Sequence, residues 1–218
     1  MIITFSGIDC AGKSTQIEQL EQYLVSQGLR IRKMWYRPGY SPEMERLKAL
    51  YCRLRGVQRA QKRVSVPGGG ASSLSLKNAA WLASAALDMA AQWGAKLRYW
   101  EKQCDVVICD RYIDDALYDF RFRFPGIPCF GLAFDVFRLA FPRPELSFLM
   151  MISHQEMLER MAQKQEPFPD PPEIRDKRYE VYRQLADTGR YTIIDAGHSV
   201  DEVFAEIVQH VEKAMGND

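Results

Sequence analysis

Gly7-Ile8-Asp9-Cys10-Ala11-Gly12-Lys13-Ser14 sets two glycines around four residues and follows the second with a lysine and a hydroxyl side chain. A polyphosphate asks for this order. Glycines let backbone N–H groups turn inward around the anion, and the start of a helix adds unpaired N–H groups and a favourable dipole. Lys13 would then reach the β and γ phosphates and Ser14 would hold Mg²⁺, so the chemistry is the binding and transfer of a phosphoryl group.

Such a loop works only between a strand and a helix. Met1-Ile2-Ile3-Thr4-Phe5 is a short apolar run of β-formers, and Ile17, Leu20 and Leu24 recur on one helical face. Both flanks are therefore expected. A second anchor is Asp105-Val106-Val107-Ile108-Cys109-Asp110, a buried type of strand ending in a carboxylate. Beside a phosphate loop such an Asp assists Mg²⁺ directly or through water. Arg111 and Tyr112 follow, then Asp114, Asp115, Asp119, Arg121 and Arg123 within one short stretch. At the C-terminal end of a central strand these read as acceptor recognition. For Arg121 and Arg123 a structural ion-pair network is the alternative. Residues 30–36 form a candidate second strand broken by Arg37-Pro38-Gly39. Arg37 is either a ligand for an acceptor's anionic group or a solvated loop arginine.

The remaining chain supplies scaffold. Residues 43–63 predict a helix whose basic side chains form a solvated face, with a polyanion or partner contact as the alternative. A Gly/Ser-rich insert near 64–75 reads as mobile. A long amphipathic helix is expected over 76–104, burying Ala80, Leu87, Ala90, Leu97 and Trp100, with Trp81 and Trp93 as core aromatics and a ligand-facing position as their alternative. A helix over 130–141, a strand over 146–152, a helix over 155–164 and a proline-rich loop over 167–172 follow, with Asp170 as a candidate cap for the next helix. A last strand over 191–195 leads into a helix carrying Val203, Ile207 and Val211 at helical spacing.

The 218 residues are 47% hydrophobic and 26% charged, which suits one α/β domain with a full core. With a net charge of +1 and no long apolar run or signal peptide, a soluble cytoplasmic protein is expected, without a nucleic-acid or membrane partner. Five scattered cysteines read as reduced thiols. The three histidines show no metal-binding spacing and read as ordinary surface or loop residues.

Strands alternating with helices, with the loop after the first strand, give an α/β fold: a doubly wound parallel sheet of the P-loop NTPase type, about five strands with helices on both faces. At this point the chain resembles the thymidylate kinase family of P-loop nucleoside monophosphate kinases. The matching pieces are residues 5–16, Arg37-Pro38-Gly39, Asp110-Arg111-Tyr112 and Ile194-Asp195-Ala196, in the family's order. The resemblance implies a single kinase domain over 1–218, with a lid-like segment near 160–175, ATP and Mg²⁺ as cofactors, and a homodimer. It implies that Gly7, Asp9, Cys10, Ala11, Gly12, Lys13, Ser14, Thr15, Arg160, Asp195 and Ala196 serve ATP. Asp9, Arg37, Arg111, Tyr112, Asp115 and Arg121 would serve the acceptor, and Ser14 and Asp110 the metal. Departures fall on the acceptor side. Leu87-Asp88-Met89 stands where an Ala-x-Arg pattern is usual, and Asp115, Asp119 and Phe120 stand where Ser and a Tyr-Gln pair are usual. The proline-rich segment replaces an arginine-bearing lid and leaves Arg160 and Lys164 nearby.

The expected reaction moves the γ-phosphoryl group of ATP to a nucleoside monophosphate, dTMP or a related nucleotide. Lys13, Asp110 and Arg111 are the candidate catalytic groups. A sugar or nucleoside hydroxyl is the alternative acceptor, with Asp9, Asp114 or Asp115 as base. An ATP-binding module without transfer is the third reading.

Overall fold

Residues 2–7 are all buried, and the Thr4 hydroxyl donates to that of Ser147 at 3.1 Å, so this run can enter a sheet without an orphaned polar group. In the computed structural model, which describes residues 1–55, 76–124, 127, 130–163 and 172–216, the run is β1 (Ile2–Gly7). It lies at the centre of a five-stranded sheet ordered β2-β3-β1-β4-β5. The other strands are β2 (Ile31–Trp35), β3 (Val106–Asp110), β4 (Leu146–Met151) and β5 (Thr192–Asp195). Every pairing is parallel, which explains the unbroken apolar runs of β1 and β3. β2 is an edge strand and exposes Arg32, Lys33 and Trp35, charges that discourage pairing with another chain.

The helices are α1 (Lys13–Ser26), α2 (Pro42–Arg55), α3 (Leu76–Met89), α4 (Leu97–Gln103), α5 (Ile113–Arg123), α6 (Phe130–Ala140), α7 (His154–Gln163), α8 (Pro172–Ala186) and α9 (Val200–Ala214). The described chain divides into two units. The first comprises Met1–Trp35, Tyr99–Tyr112 and Arg143–Asp218 and contains the whole sheet. In it α1 packs on β1, β3 and α9, α8 on β4, and α9 on β5. The second comprises Tyr36–Arg98 and Ile113–Pro142. Its core is aromatic, with Trp93 edge-on to Tyr36 at 4.8 Å and Phe120 edge-on to Phe134 at 5.4 Å.

α9 follows its sequence pattern: Val203, Ile207 and Val211 are buried, each worth about 1.5–3 kcal/mol of burial. Its start is a capping box, in which Ser199 Oγ accepts from the Glu202 N–H and Glu202 accepts from the Ser199 N–H at 3.0 Å. The Ser199 hydroxyl, donating to the Glu202 carboxylate at 2.6 Å, and the Ser199 N–H second hold that carboxyl below its usual range. The associated stability is present at neutral pH and lost as the pH falls through that lowered value. Ser199→Ala should lower stability by about 1 kcal/mol and soften the acid limb of unfolding, as thermal melts at stepped pH would record.

The long helix departs from expectation in two ways. Its middle, Ala90–Lys96, is π-helical, and the faces differ from the predicted ones. Ala80, Leu87 and Ala90 are exposed, Trp100 is half-buried, and only Leu97 of the expected set is buried, along with Ala85, Asp88, Met89, Gln92 and Trp93. Alanines on every side leave no single apolar stripe to read, and the π segment shifts the helical phase. The insert near 64–75, residues 56–63 of the basic helix, Lys164 and Asp170 lie outside the described residues.

Candidate functional site

β1 ends at Gly7 because nothing larger fits there. Gly7 has φ +137°, and a Cβ would lie 2.8 Å from the Met150 nitrogen and run into its carbonyl oxygen. The Ile8 N–H bonds the Met150 carbonyl at 3.2 Å, carrying the β4 ladder one residue into the loop. The chain then turns sharply. The Ala11 N–H bonds the Ile8 carbonyl at 3.3 Å, Cys10 sits in the left-handed region at φ 64°, and Gly12 follows at φ 77°. A non-glycine residue held there stores strain, a common mark of functional loops. α1 starts at once, with no acidic side chain in its first turn to compete with an incoming anion.

The Lys13 ammonium curls back over its own loop and donates to the carbonyls of Gly7 at 2.9 Å and Ile8 at 2.7 Å. Ser14 and Thr15 are exposed on the first turn, and Ala11 is buried. Parallel register sets Asp110 beside Phe5 on β1 and Trp35 on β2. The next residue, Arg111, is again left-handed at φ 76°. Its N–H bonds the Phe5 carbonyl at 2.9 Å, and its guanidinium pairs with Asp9 at 3.4 Å. Asp9, Asp110 and Arg111 are thereby gathered against the start of the loop. Tyr112 is buried. Cys109 is fully buried, and burial, with the Asp110 charge second, pushes its thiol up to about 12, so it remains protonated and unreactive.

A third piece comes from α7. Arg160 donates to the Cys10 carbonyl at 3.3 Å and the Ala196 carbonyl at 2.8 Å, and pairs with Glu156 at 2.6 Å. One guanidinium thus ties the phosphate-type loop to the turn after β5. Asp195 stiffens that turn by accepting from the Gly197 N–H at 2.9 Å.

In the second unit Arg37 forms a two-pronged pair with Asp119, at 2.7 and 3.1 Å, and lies 5.7 Å from the centre of the Tyr40 ring. α5 carries acids in its first turn and arginines in its last, in accord with its dipole. Asp114 and Asp115 are buried, and Asp114 pairs with Arg138. Arg121 is exposed over the Tyr118 ring. Arg123 stacks 4.0 Å from the centre of Trp81, which is half-buried, so its role is packing. Sequence reasoning noted Asp88 only as a departure within Leu87-Asp88-Met89 and gave it no role; it is buried in α3 and bonded to three groups of residues 36–41. The available signal was the one carboxylate in the alanine-rich α3.

Among the described residues no three His, Cys, Asp or Glu side chains cluster as a metal cage, and no helix is long and apolar enough to cross a membrane.

A five-stranded parallel sheet with the glycine-lysine-serine loop leaving its central strand defines a P-loop NTPase of the doubly wound α/β class. Within that class the chain is thymidylate-kinase-like, by similarity along nearly its whole length. A thymidylate kinase of Bifidobacterium longum (strain NCC 2705) is 26% identical over 220 residues, 98% of either chain. One of Chlorobium luteolum is 26% identical over 229 residues, 96% of this chain and 95% of that one. One of Symbiobacterium thermophilum is 26% identical over 223 residues, 99% of this chain and 94% of that one. No protein-family model matches the chain.

Proposed function

We propose that the protein is an ATP-dependent phosphotransferase that moves the γ-phosphoryl group of ATP to a nucleoside monophosphate, dTMP or a related nucleotide. The observation that carries the reading is the Lys13 ammonium held within the loop of residues 7–14, with Asp110 ending the adjoining strand and Arg111 directly after it. Likeness to thymidylate kinases along nearly the whole chain supports the acceptor class.

A phosphate oxygen is already a competent nucleophile, so catalysis is positioning and charge neutralisation. Inward amides of residues 7–14 and the start of α1 would cradle the triphosphate, and Lys13 would exchange its carbonyl partners for β and γ oxygens. Arg111 would meet the acceptor phosphate, steadied by Asp9, with Arg37 as a second cation. Arg160, Asp195 and Ala196 would border the adenine. Tyr112, Asp115 and Arg121 complete the proposed acceptor set.

The donor set suits Mg²⁺: an exposed hydroxyl on Ser14 and a half-exposed carboxylate on Asp110 are hard oxygen ligands, too few for a protein cage. Mg²⁺ is usually bound this way, by one or two protein oxygens together with substrate phosphates. When bound, the ion neutralises charge on the phosphates.

The test is ADP release with ATP, Mg²⁺ and a panel of nucleoside monophosphates, nucleosides and sugars. Acceleration by a monophosphate and by none of the unphosphorylated compounds is expected. Acceleration by a hydroxyl acceptor alone, or by nothing in the panel, would overturn the reading.

We propose further that the chain acts as one kinase domain in a cytoplasmic homodimer that binds no nucleic acid. The free thiols of Cys10, Cys104 and Cys109 suit a reducing compartment, and the near-neutral net charge gives no footing for a polyanion. Support for the dimer comes from α6, whose Leu132, Val136 and Leu139 are 74%, 56% and 75% exposed at helical spacing, an apolar stripe of the kind interfaces use. Light scattering after gel filtration should give the mass of two chains, and Leu132→Glu that of one.

A further inference from the structure

A carboxylate buried in a helix is costly unless donors meet it. Asp88 is met three times, always from the segment that follows β2. Its Oδ2 accepts from the Tyr36 hydroxyl at 3.0 Å and the Gly39 N–H at 3.1 Å, and its Oδ1 from the Ser41 hydroxyl at 2.5 Å. Burial first, and the Asp88 charge second, raise the Tyr36 phenol pKa, so this donor keeps its proton. Ser41 is itself tied down, because its Oγ accepts from the Met44 N–H at 3.1 Å in the first turn of α2. Gly39 is left-handed at φ +78°, and a Cβ there would lie 3.2 Å from the Trp81 ring.

One turn beyond Asp88 the π-helical segment makes a second attachment. Gln92 is buried, donates to Glu43 at 3.0 Å and accepts from Lys96 at 3.1 Å. The helix therefore meets residues 36–43 at two places. Between the residues that Asp88 bonds sits Arg37, its guanidinium aimed by Asp119.

We infer that Asp88 is a positioning residue for the acceptor: its bonds to Tyr36, Gly39 and Ser41 fix the backbone from which Arg37 presents its guanidinium. Asp88 does not touch substrate. It removes the ordering cost that a loose loop would add to acceptor binding. The inference rests on the reading of Arg37 as an acceptor ligand.

Two substitutions separate positioning from bulk. Asp88→Asn keeps an acceptor oxygen where Tyr36 and Gly39 converge, and its amide can face Ser41, whose hydroxyl accepts as readily as it donates. Asp88→Leu keeps the branched skeleton of four heavy atoms and removes every acceptor. With ATP, Mg²⁺ and the nucleoside monophosphate that the wild type turns over best, Asp88→Leu should raise the acceptor KM about tenfold. The Kd of a non-hydrolysable ATP analogue should stay within about twofold, and Asp88→Asn should stay within about threefold of the wild-type KM. Hydrogen exchange at the Gly39 amide should quicken in the leucine variant alone.

An unchanged acceptor KM in Asp88→Leu, an equal loss in analogue affinity, or an asparagine variant no better than the leucine one would overturn the inference. If Asp88→Leu fails to fold, the Tyr36→Phe/Ser41→Ala pair removes two of the three donors from the other side. The same rise in KM is expected of it, and a wild-type KM would overturn the inference. Arg37→Ala is the control for the underlying reading. If the wild type turns over no monophosphate, or Arg37→Ala leaves the acceptor KM unmoved, the site itself has been misread. If Arg37→Ala raises the KM and Asp88→Leu does not, only the role of Asp88 falls.

Discussion

Replacing Lys13 with alanine should lower phosphoryl-transfer turnover about a thousandfold or more, the scale on which loss of one preorganised charge-stabilising group is felt. The ammonium is the positive group tethered inside the loop itself, through the Gly7 and Ile8 carbonyls. Alanine deletes that charge and leaves two backbone acceptors at a half-exposed position that water can reach. The melting temperature should therefore move little, and the loss should appear in kcat rather than in the yield of folded protein. Wild-type-like turnover in Lys13→Ala would remove the loop from the mechanism.

The second large effect is on folding. Gly7→Ala should destabilise the protein by about 3–5 kcal/mol, enough to deplete soluble protein, because strain and overlap act together. The new Cβ would meet the backbone of Met150, which belongs to the strand paired with β1 and cannot turn aside as a flexible side chain would. Gly12→Ala is the matched comparison. Its φ of +77° is similarly unfavourable to a side chain, but a Cβ there meets nothing within 4 Å. It should cost about 1–2 kcal/mol, the strain alone. Urea unfolding of the two variants side by side separates the terms, and equal losses would show that overlap with β4 is relieved elsewhere.

The parts of the site that sequence reveals are those made from consecutive residues. Gly7 to Thr15 is one local turn flanked by an apolar strand and a helix with a clear stripe, so its composition and its shape carry the same information. Asp110 is similar, a carboxylate ending a buried run. β1, β3 and β4 were legible for the same reason, since parallel strands covered on both faces are continuous apolar runs, whereas the exposed edge strand β2 showed only as an alternation. What escapes is made by distant residues meeting. Arg160 reaches Cys10 across 150 positions and Ala196 across 36, and Arg37 reaches Asp119 across 82. No local pattern encodes those pairings. The inner and outer faces of the long helix escaped because alanine tolerates either side, and the π-helical stretch has no composition of its own. Asp88 was visible only as an oddity, and its three bonds give that oddity a structural reason.

The tryptophans are distributed so that they report on the two units differently. Trp93 is sealed from water among Tyr36 and Phe141, whereas Trp35 is 60% exposed and Trp100 is half-buried with Arg32 5.8 Å from its ring centre. Blue-shifted emission that iodide cannot quench should therefore arise from the unit containing Asp88. A red shift of that component on heating, set against the far-ultraviolet ellipticity to which the helices of both units contribute, would time the melting of this unit against that of the whole molecule without any added dye.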